Sequence, residues 1–100
     1  MLSLNLAQSA VHDLENIGDY SLSNWGQKRS HDYLDEFEKA FYLLLDNPCL
    51  GKSRADIKPG YRSLAIEKHV IFYKITEQTI DVLRILHGSM DTPQHLTCTL

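Results

Sequence analysis

The stretch from Tyr61 to His87 constrains this chain more than any other part of it. It holds three strand-like runs in succession, residues 61–67, 69–75 and 79–87. "YRSLAIE" alternates Tyr61, Ser63 and Ala65 against Arg62, Leu64 and Ile66. "HVIFYKI" is a nearly continuous β-branched and aromatic run, the composition of a central strand. "TIDVLRILH" alternates Ile80 and Val82 against Asp81 and Leu83, then turns apolar on both faces. The links are only Glu67-Lys68 and Thr76 to Gln78. Consecutive strands joined so tightly form antiparallel hairpins.

Upstream the period changes. "LSLNL" places Leu2, Leu4 and Leu6 on one face of a half-buried strand. Ala10, Leu14 and Ile17 then recur at helical spacing, flanked by Val11 and Gly18, with Asp13 and Glu15 in the early turns. "SLSNWG", residues 21–26, reads as a breaker. A longer helix follows. Its stripe is Tyr33, Phe37, Phe41 and Leu44, widened by Leu34, Ala40 and Leu45, and its polar face carries Lys28, Asp32, Asp35, Glu36 and Lys39. "DNP" ends it at Pro48, since the residue before proline is pushed out of the helical region. Residues 49–60 read as a loop with Gly51, Pro59 and Gly60. The predicted architecture is one α+β domain over residues 1–100. Its order is β-α-α-β-β-β, with a helical hairpin packed on one face of an antiparallel sheet.

Composition narrows the function. No run of about 18 apolar residues exists, and the N-terminus lacks a basic segment before a long apolar core. A cytoplasmic protein is expected. Cys49 and Cys98 fit no zinc-site spacing and read as reduced thiols. A net charge of −3 argues against a general nucleic-acid coat. Between Lys52 and Lys74 the balance reverses. Lys52, Arg54, Lys58, Arg62, Lys68 and Lys74 face only Asp56 and Glu67, which favours an anionic partner, either nucleic acid or an acidic peptide.

Several side chains are candidates for chemistry, each with a plainer reading beside it. Arg62 and Arg84 suit a bidentate phosphate clamp, or two stems packed on the sheet and paired with nearby acids. His87 and His95 suit general acid–base work, or a strand-end histidine bonded to a loop and a histidine in the tail. His87, His95 and Cys98 match no recognised metal module, so no metal is expected. Tyr61 and Tyr73 suit base stacking, or packing beneath the helices. Trp25 suits a staple between the helices, or a partner hot spot.

"DLENIGDY", "NWG", "LLLDNPCLGKSRADIKPGYRS", "HVIFYKI" and "RILHGSMD" occur in this order over about residues 4–96. The ordered set resembles the ParE branch of the RelE/ParE toxin superfamily, from bacterial type II toxin–antitoxin modules. The resemblance implies the same helical hairpin on a sheet. It also implies a toxin without a cofactor that arrests growth by inhibiting DNA gyrase and trapping its cleaved-DNA complex, in a module that stabilises a plasmid or chromosome. A ParD-like ribbon-helix-helix antitoxin would neutralise it in a hetero-oligomer. The target-binding candidates are Lys52, Arg54, Lys58, Arg62, Lys74, Arg84, His87, Asp91 and His95. The antitoxin-binding candidates are Leu22, Trp25, Tyr33, Phe37 and Leu96, and no residue is assigned a catalytic role. The alternative is a ribosome-dependent mRNA endonuclease of the RelE type. This chain departs from that type by having no tyrosine after Tyr73, while His95 lies near its place. It also carries Ala7 where relatives often start the first helix with Ser or Thr.

Overall fold

The computed structural model describes residues 2–91. The elements are β1 (Ser3–Leu6), α1 (Gln8–Trp25), α2 (Gln27–Asp46), β2 (Lys52–Ser53), β3 (Tyr61–Ile66), β4 (His69–Ile75) and β5 (Thr79–His87). Two short 3-10 turns, Pro48–Leu50 and Gly88–Met90, follow α2 and β5. The α+β class and the hairpin-on-sheet arrangement are as predicted. The sheet runs β1-β5-β4-β3-β2 and is mixed rather than purely antiparallel. β3, β4 and β5 form the expected meander, while β1 lies parallel to β5, with Leu4 opposite Ile80 and Leu6 opposite Val82. The two helices supply the crossover that a parallel return requires.

"SLSNWG" is not a loop. α1 runs through it to Trp25, because Ser21 packs inward and is only 1% exposed. The whole reversal falls on Gly26, whose φ of 90° is open to glycine and costly to other residues. Helix α2 ends as expected, with Asn47 N–H closing on Leu43 O at 2.9 Å. β2 was missed, since two residues carry no readable alternation.

Two cores result. The larger lies between the hairpin and one sheet face and contains Ala10, Ile17, Phe37, Leu44, Ile71 and Tyr73. A smaller one on the opposite face joins Phe72 and Leu86 to Ile57 and Val70. The loop of residues 54–60 thus covers sheet surface that the helices leave bare. Tyr73 packs beneath the helices, whereas Tyr61 lies on the opposite face beside Lys58, whose Nζ sits 6.0 Å from its ring centre.

Candidate functional site

The sheet face away from the helices is organised by Arg54. Its side chain is nearly buried, and its five N–H groups have five contacts. Nη2 and Nη1 donate to Asp91 at 2.6 and 2.9 Å. Nε and Nη2 donate to Asp56 at 3.2 and 3.3 Å, and Nη1 donates to Ser63 Oγ at 3.3 Å. The guanidinium also lies 5.4 Å from the centre of the Phe72 ring. Asp91, reached through its bond to Nη2, is the main influence raising the Arg54 pKa, opposed by burial; Asp56 is held below the usual carboxylate range chiefly by its hydrogen bond from Arg54. Arg54 is therefore a structural hub that fixes Asp91 to the sheet.

Arg62 and Arg84 are not brought together. Arg62 turns to the strap of residues 48–53, where Nε and Nη2 donate to Gly51 O at 3.0 and 2.6 Å and Nη2 reaches Cys49 O at 3.1 Å. Tyr73 holds the same strap. Its Oη accepts from Gly51 N–H at 2.9 Å and donates to Pro48 O at 2.8 Å. A register shift between Phe72 and Tyr73 marks a bulge opposite, in β5. Next to it, Arg84 reaches α1, where Nε and Nη2 donate to Asp13 at 2.7 and 2.9 Å. The Ile85 N–H donates to the same carboxylate at 2.9 Å. β1 has ended by this point, so Asp13 fills the place a neighbouring strand would take. The paired reading of Arg84 is correct, and Asp13 is a pin between α1 and the sheet.

With the arginines used internally, the exposed cations of this face are lysines. Lys52 and Lys58 are exposed. Lys52 stands opposite Ser63, and half-buried Lys74 stands opposite Tyr61 and Asp81. These positions share the face that carries Arg54 and Asp91.

The opposite surface has an open groove between the hairpin tip and the ends of β4 and β5. Trp25, 43% exposed, packs edge-on against Tyr20 at 5.9 Å and Tyr33 at 6.1 Å between ring centres. It therefore bridges both helices and still presents a face outward. Arg29 lies 5.6 Å from its ring centre. The buried Ser21 Oγ in the groove wall has no hydrogen-bond partner among the described residues. Tyr33, His69 and His87 close the other end, with Tyr33 Oη 2.5 Å from His69 Nδ1. Leu22, 52% exposed, lies instead in a shallow depression on the outer side of the hairpin. Phe37 is buried in the main core and offers no surface.

The plain reading of His87 also holds. Its Nδ1 accepts from Ser89 N–H at 3.1 Å, capping the Gly88–Met90 turn. His95 and Leu96 lie outside the described residues. No group of three His, Cys, Asp or Glu side chains among the described residues could hold a metal ion, and no described helix is long and apolar enough to cross a membrane. Sequence reasoning missed Asp13 and His69, because their partners lie 71 and 36 residues away and leave no local pattern.

Residues 4–92 match the family described as the ParE toxin of the type II toxin–antitoxin system parDE. Toxin ParE1 of Mycobacterium tuberculosis is 39% identical over 92 residues, covering 91% of this chain and 94% of the relative. Toxin ParE1 of Caulobacter vibrioides is 31% identical over 96 residues, covering 96% and 99%. The fold matches a chain of the chromosomal ParDE system from P. aeruginosa with a TM-score of 0.76 at 24% identity, covering 87% of this chain and 96% of that one. It also matches a chain of the E. coli DinJ–YafQ complex with a TM-score of 0.53 at 16% identity, covering 91% and 98%. The chain belongs to the ParE toxin family of type II toxin–antitoxin systems.

Proposed function

We propose that this toxin arrests growth by binding DNA gyrase and holding its cleaved-DNA complex, with no catalytic step of its own, and that a ParD-like ribbon-helix-helix antitoxin silences it in the cytoplasm. Family membership supports the toxin role. The observation that carries the mode of action is the internal use of all three candidate arginines. Arg54 is spent on Asp91 and Asp56, Arg84 on Asp13, and Arg62 on main-chain carbonyls. A phosphate-cleaving site needs such forks aimed at the scissile group. Lys52, Lys58 and Lys74 remain on the sheet face and suit recognition of an anionic surface by position. A poison of this kind acts by binding one state of its target better than the others.

The antitoxin is assigned to the groove, where Trp25 and Tyr33 offer aromatic anchors, with Leu22 on the adjoining helical surface. An antitoxin segment that folds onto a preformed groove would bury these rings.

The test is purified toxin against gyrase, with supercoiling and cleavage-complex formation read together. Toxin is expected to raise cleavage-complex levels, and Lys52→Glu with Lys58→Glu to abolish that effect in a folded protein. Unchanged supercoiling and cleavage would overturn the gyrase assignment. New mRNA 5′ ends on induction, mapped by primer extension, would move the protein to the ribonuclease branch.

A further inference from the structure

The outer side of the hairpin, away from the Trp25 groove, carries the depression that contains Leu22. Small residues shape it. Ser30 Oγ donates to Gly18 O at 3.2 Å, which draws the two helices together. Leu34 of α2 leans over Gly18, where a Cβ would stand 3.4 Å from Leu34 Cδ1. The seam is left as a furrow walled by Leu14, Leu22, Leu34 and Phe41. Leu22 is 52% exposed and the other three are partly exposed. Leu14 and Leu22 share one face of α1 two turns apart, so the furrow runs for about 12 Å.

The rim of the furrow is acidic. Glu15 and Asp19 of α1 and Glu38 of α2 flank it, and no Lys or Arg lines it. All three acids are exposed, and none has an ion pair or hydrogen bond among the described residues. Glu15 and Asp19 stand four residues apart, where like charges weaken a helix. Helix α1 holds no Lys or Arg to relieve them. The bases of α2 are committed elsewhere. Lys28 and Arg29 line the Trp25 groove, and Lys39 pairs with Glu36 at 3.6 Å. Apolar walls between unbalanced acids fit an occupant that is apolar along its middle and basic along its edges.

Other occupants fail that requirement. A nucleic acid or an anionic membrane is repelled by the rim. A second copy offers no basic helix, since α1 has no base and α2 sets five acids against three bases. Its basic strap is fastened to its own sheet by Arg62 and Tyr73. The sequence after Asp91 contains no Lys or Arg, so the chain's own C-terminal segment lacks the charge. A helix of another protein meets both conditions.

We propose that the outer furrow of the hairpin docks a basic amphipathic helix of a partner protein. Its apolar residues, at i, i+4 and i+7, fill the furrow between Leu14, Leu22, Leu34 and Phe41. Its flanking lysines or arginines meet Glu15 and Asp19 on one side and Glu38 on the other. The apolar stripe supplies most of the affinity, and the acids select the partner and set its orientation. This docking stands on the hairpin alone, independent of the gyrase assignment. It shares only Leu22 with the antitoxin surface proposed above.

The test uses two synthetic helical peptides with the same leucine stripe, one flanked by lysines and one by glutamates. Each is fluorescently labelled and titrated with the full chain. Anisotropy is expected to show the lysine peptide binding about tenfold more tightly. That advantage should shrink as salt rises. Glu15→Gln/Asp19→Asn/Glu38→Gln removes the charges at exposed positions and should erase most of it. Leu22→Ser should weaken both peptides alike. In the unaltered chain, bound lysine peptide should shift the methyl resonances of Leu14, Leu22 and Leu34 and leave the Trp25 indole N–H in place. Equal affinities for the two peptides, a lysine-peptide affinity that survives the triple variant, or shifts centred on Trp25 would each overturn the proposal. The peptide comparison and the shifts need no variant, so they decide the matter even if the triple variant fails to fold. Neither gyrase nor antitoxin enters the measurement, so failure of those assignments is read separately.

Discussion

Tyr73→Phe is the sharpest probe of how this fold presents its cationic strap. The substitution removes one oxygen from a side chain with no exposed surface and leaves the ring in place. That oxygen accepts from Gly51 N–H and donates to Pro48 O. Gly51 is buried, so its N–H loses its only partner among the described residues with little access to water, whereas the half-buried Pro48 carbonyl can recover one. A stranded buried donor costs about 1–3 kcal/mol, and the Gly51 N–H belongs near the middle of that range. For a domain of this size each kcal/mol lowers Tm by about 4–8 °C, so the variant is expected to melt about 8–16 °C lower. Gly51→Ala tests the same contact from the other side. A Cβ there would stand 2.6 Å from Ser63 O and 2.6 Å from Tyr73 Oη, so overpacking costs about 1–3 kcal/mol. The two substitutions share an atom and should couple, with the double variant losing less than the sum. Thermal and urea unfolding of the four proteins decide it. A Tyr73→Phe loss below about 2 °C would refute the claim that this hydroxyl holds the strap, on the same conversion.

The remaining predictions concern the pins and one helix end. Ala7→Ser supplies the missing side-chain cap of α1 and should stabilise the protein by about 1 kcal/mol, read as a higher urea midpoint at constant slope. Arg84→Ala strands the nearly buried Asp13 carboxylate and should cost about 3 kcal/mol; Asp13→Asn/Arg84→Met should recover part of it, and growth arrest should follow stability through the series. Arg54→Met leaves Asp91 without its partner and should destabilise by about 3 kcal/mol, while Arg54→Lys should rescue poorly because one ammonium cannot reach two carboxylates and a hydroxyl; calorimetry of the two variants separates these outcomes.

Which parts of the molecule were legible in its sequence follows from how far each feature depends on neighbours in the chain. The meander of β3, β4 and β5 was readable because alternation and links of two and three residues are local, and α2 was readable because its stripe repeats over 20 residues. The parallel placement of β1 was not, since "LSLNL" says which face is apolar and nothing about which strand it joins. Residues 21–26 misled because serine and asparagine favour turns in general, while here burial of Ser21 overrides that preference.

The arginines show the same limit at the site. Their spacing in the chain cannot separate a phosphate clamp from three unrelated structural duties. The bulge between Phe72 and Tyr73, the end of β1 at Leu6 and the path of the strap assign Arg84 to Asp13, Arg62 to Gly51 and Arg54 to Asp91. Each of these is a tertiary event with no local signature. The family motifs were nonetheless recognisable, because the residues that make these contacts lie inside them. "GYRS" contains Arg62 and the Ser63 that meets Arg54, and "RILHGSMD" contains Arg84, His87 and Asp91. In this chain those motifs spell the fastening of the strap, the first helix and the exit of the last strand to one sheet. What acts on a target must then be what that sheet carries outward, which is why the lysine face and the groove, rather than the motif arginines, are the surfaces to mutate for function.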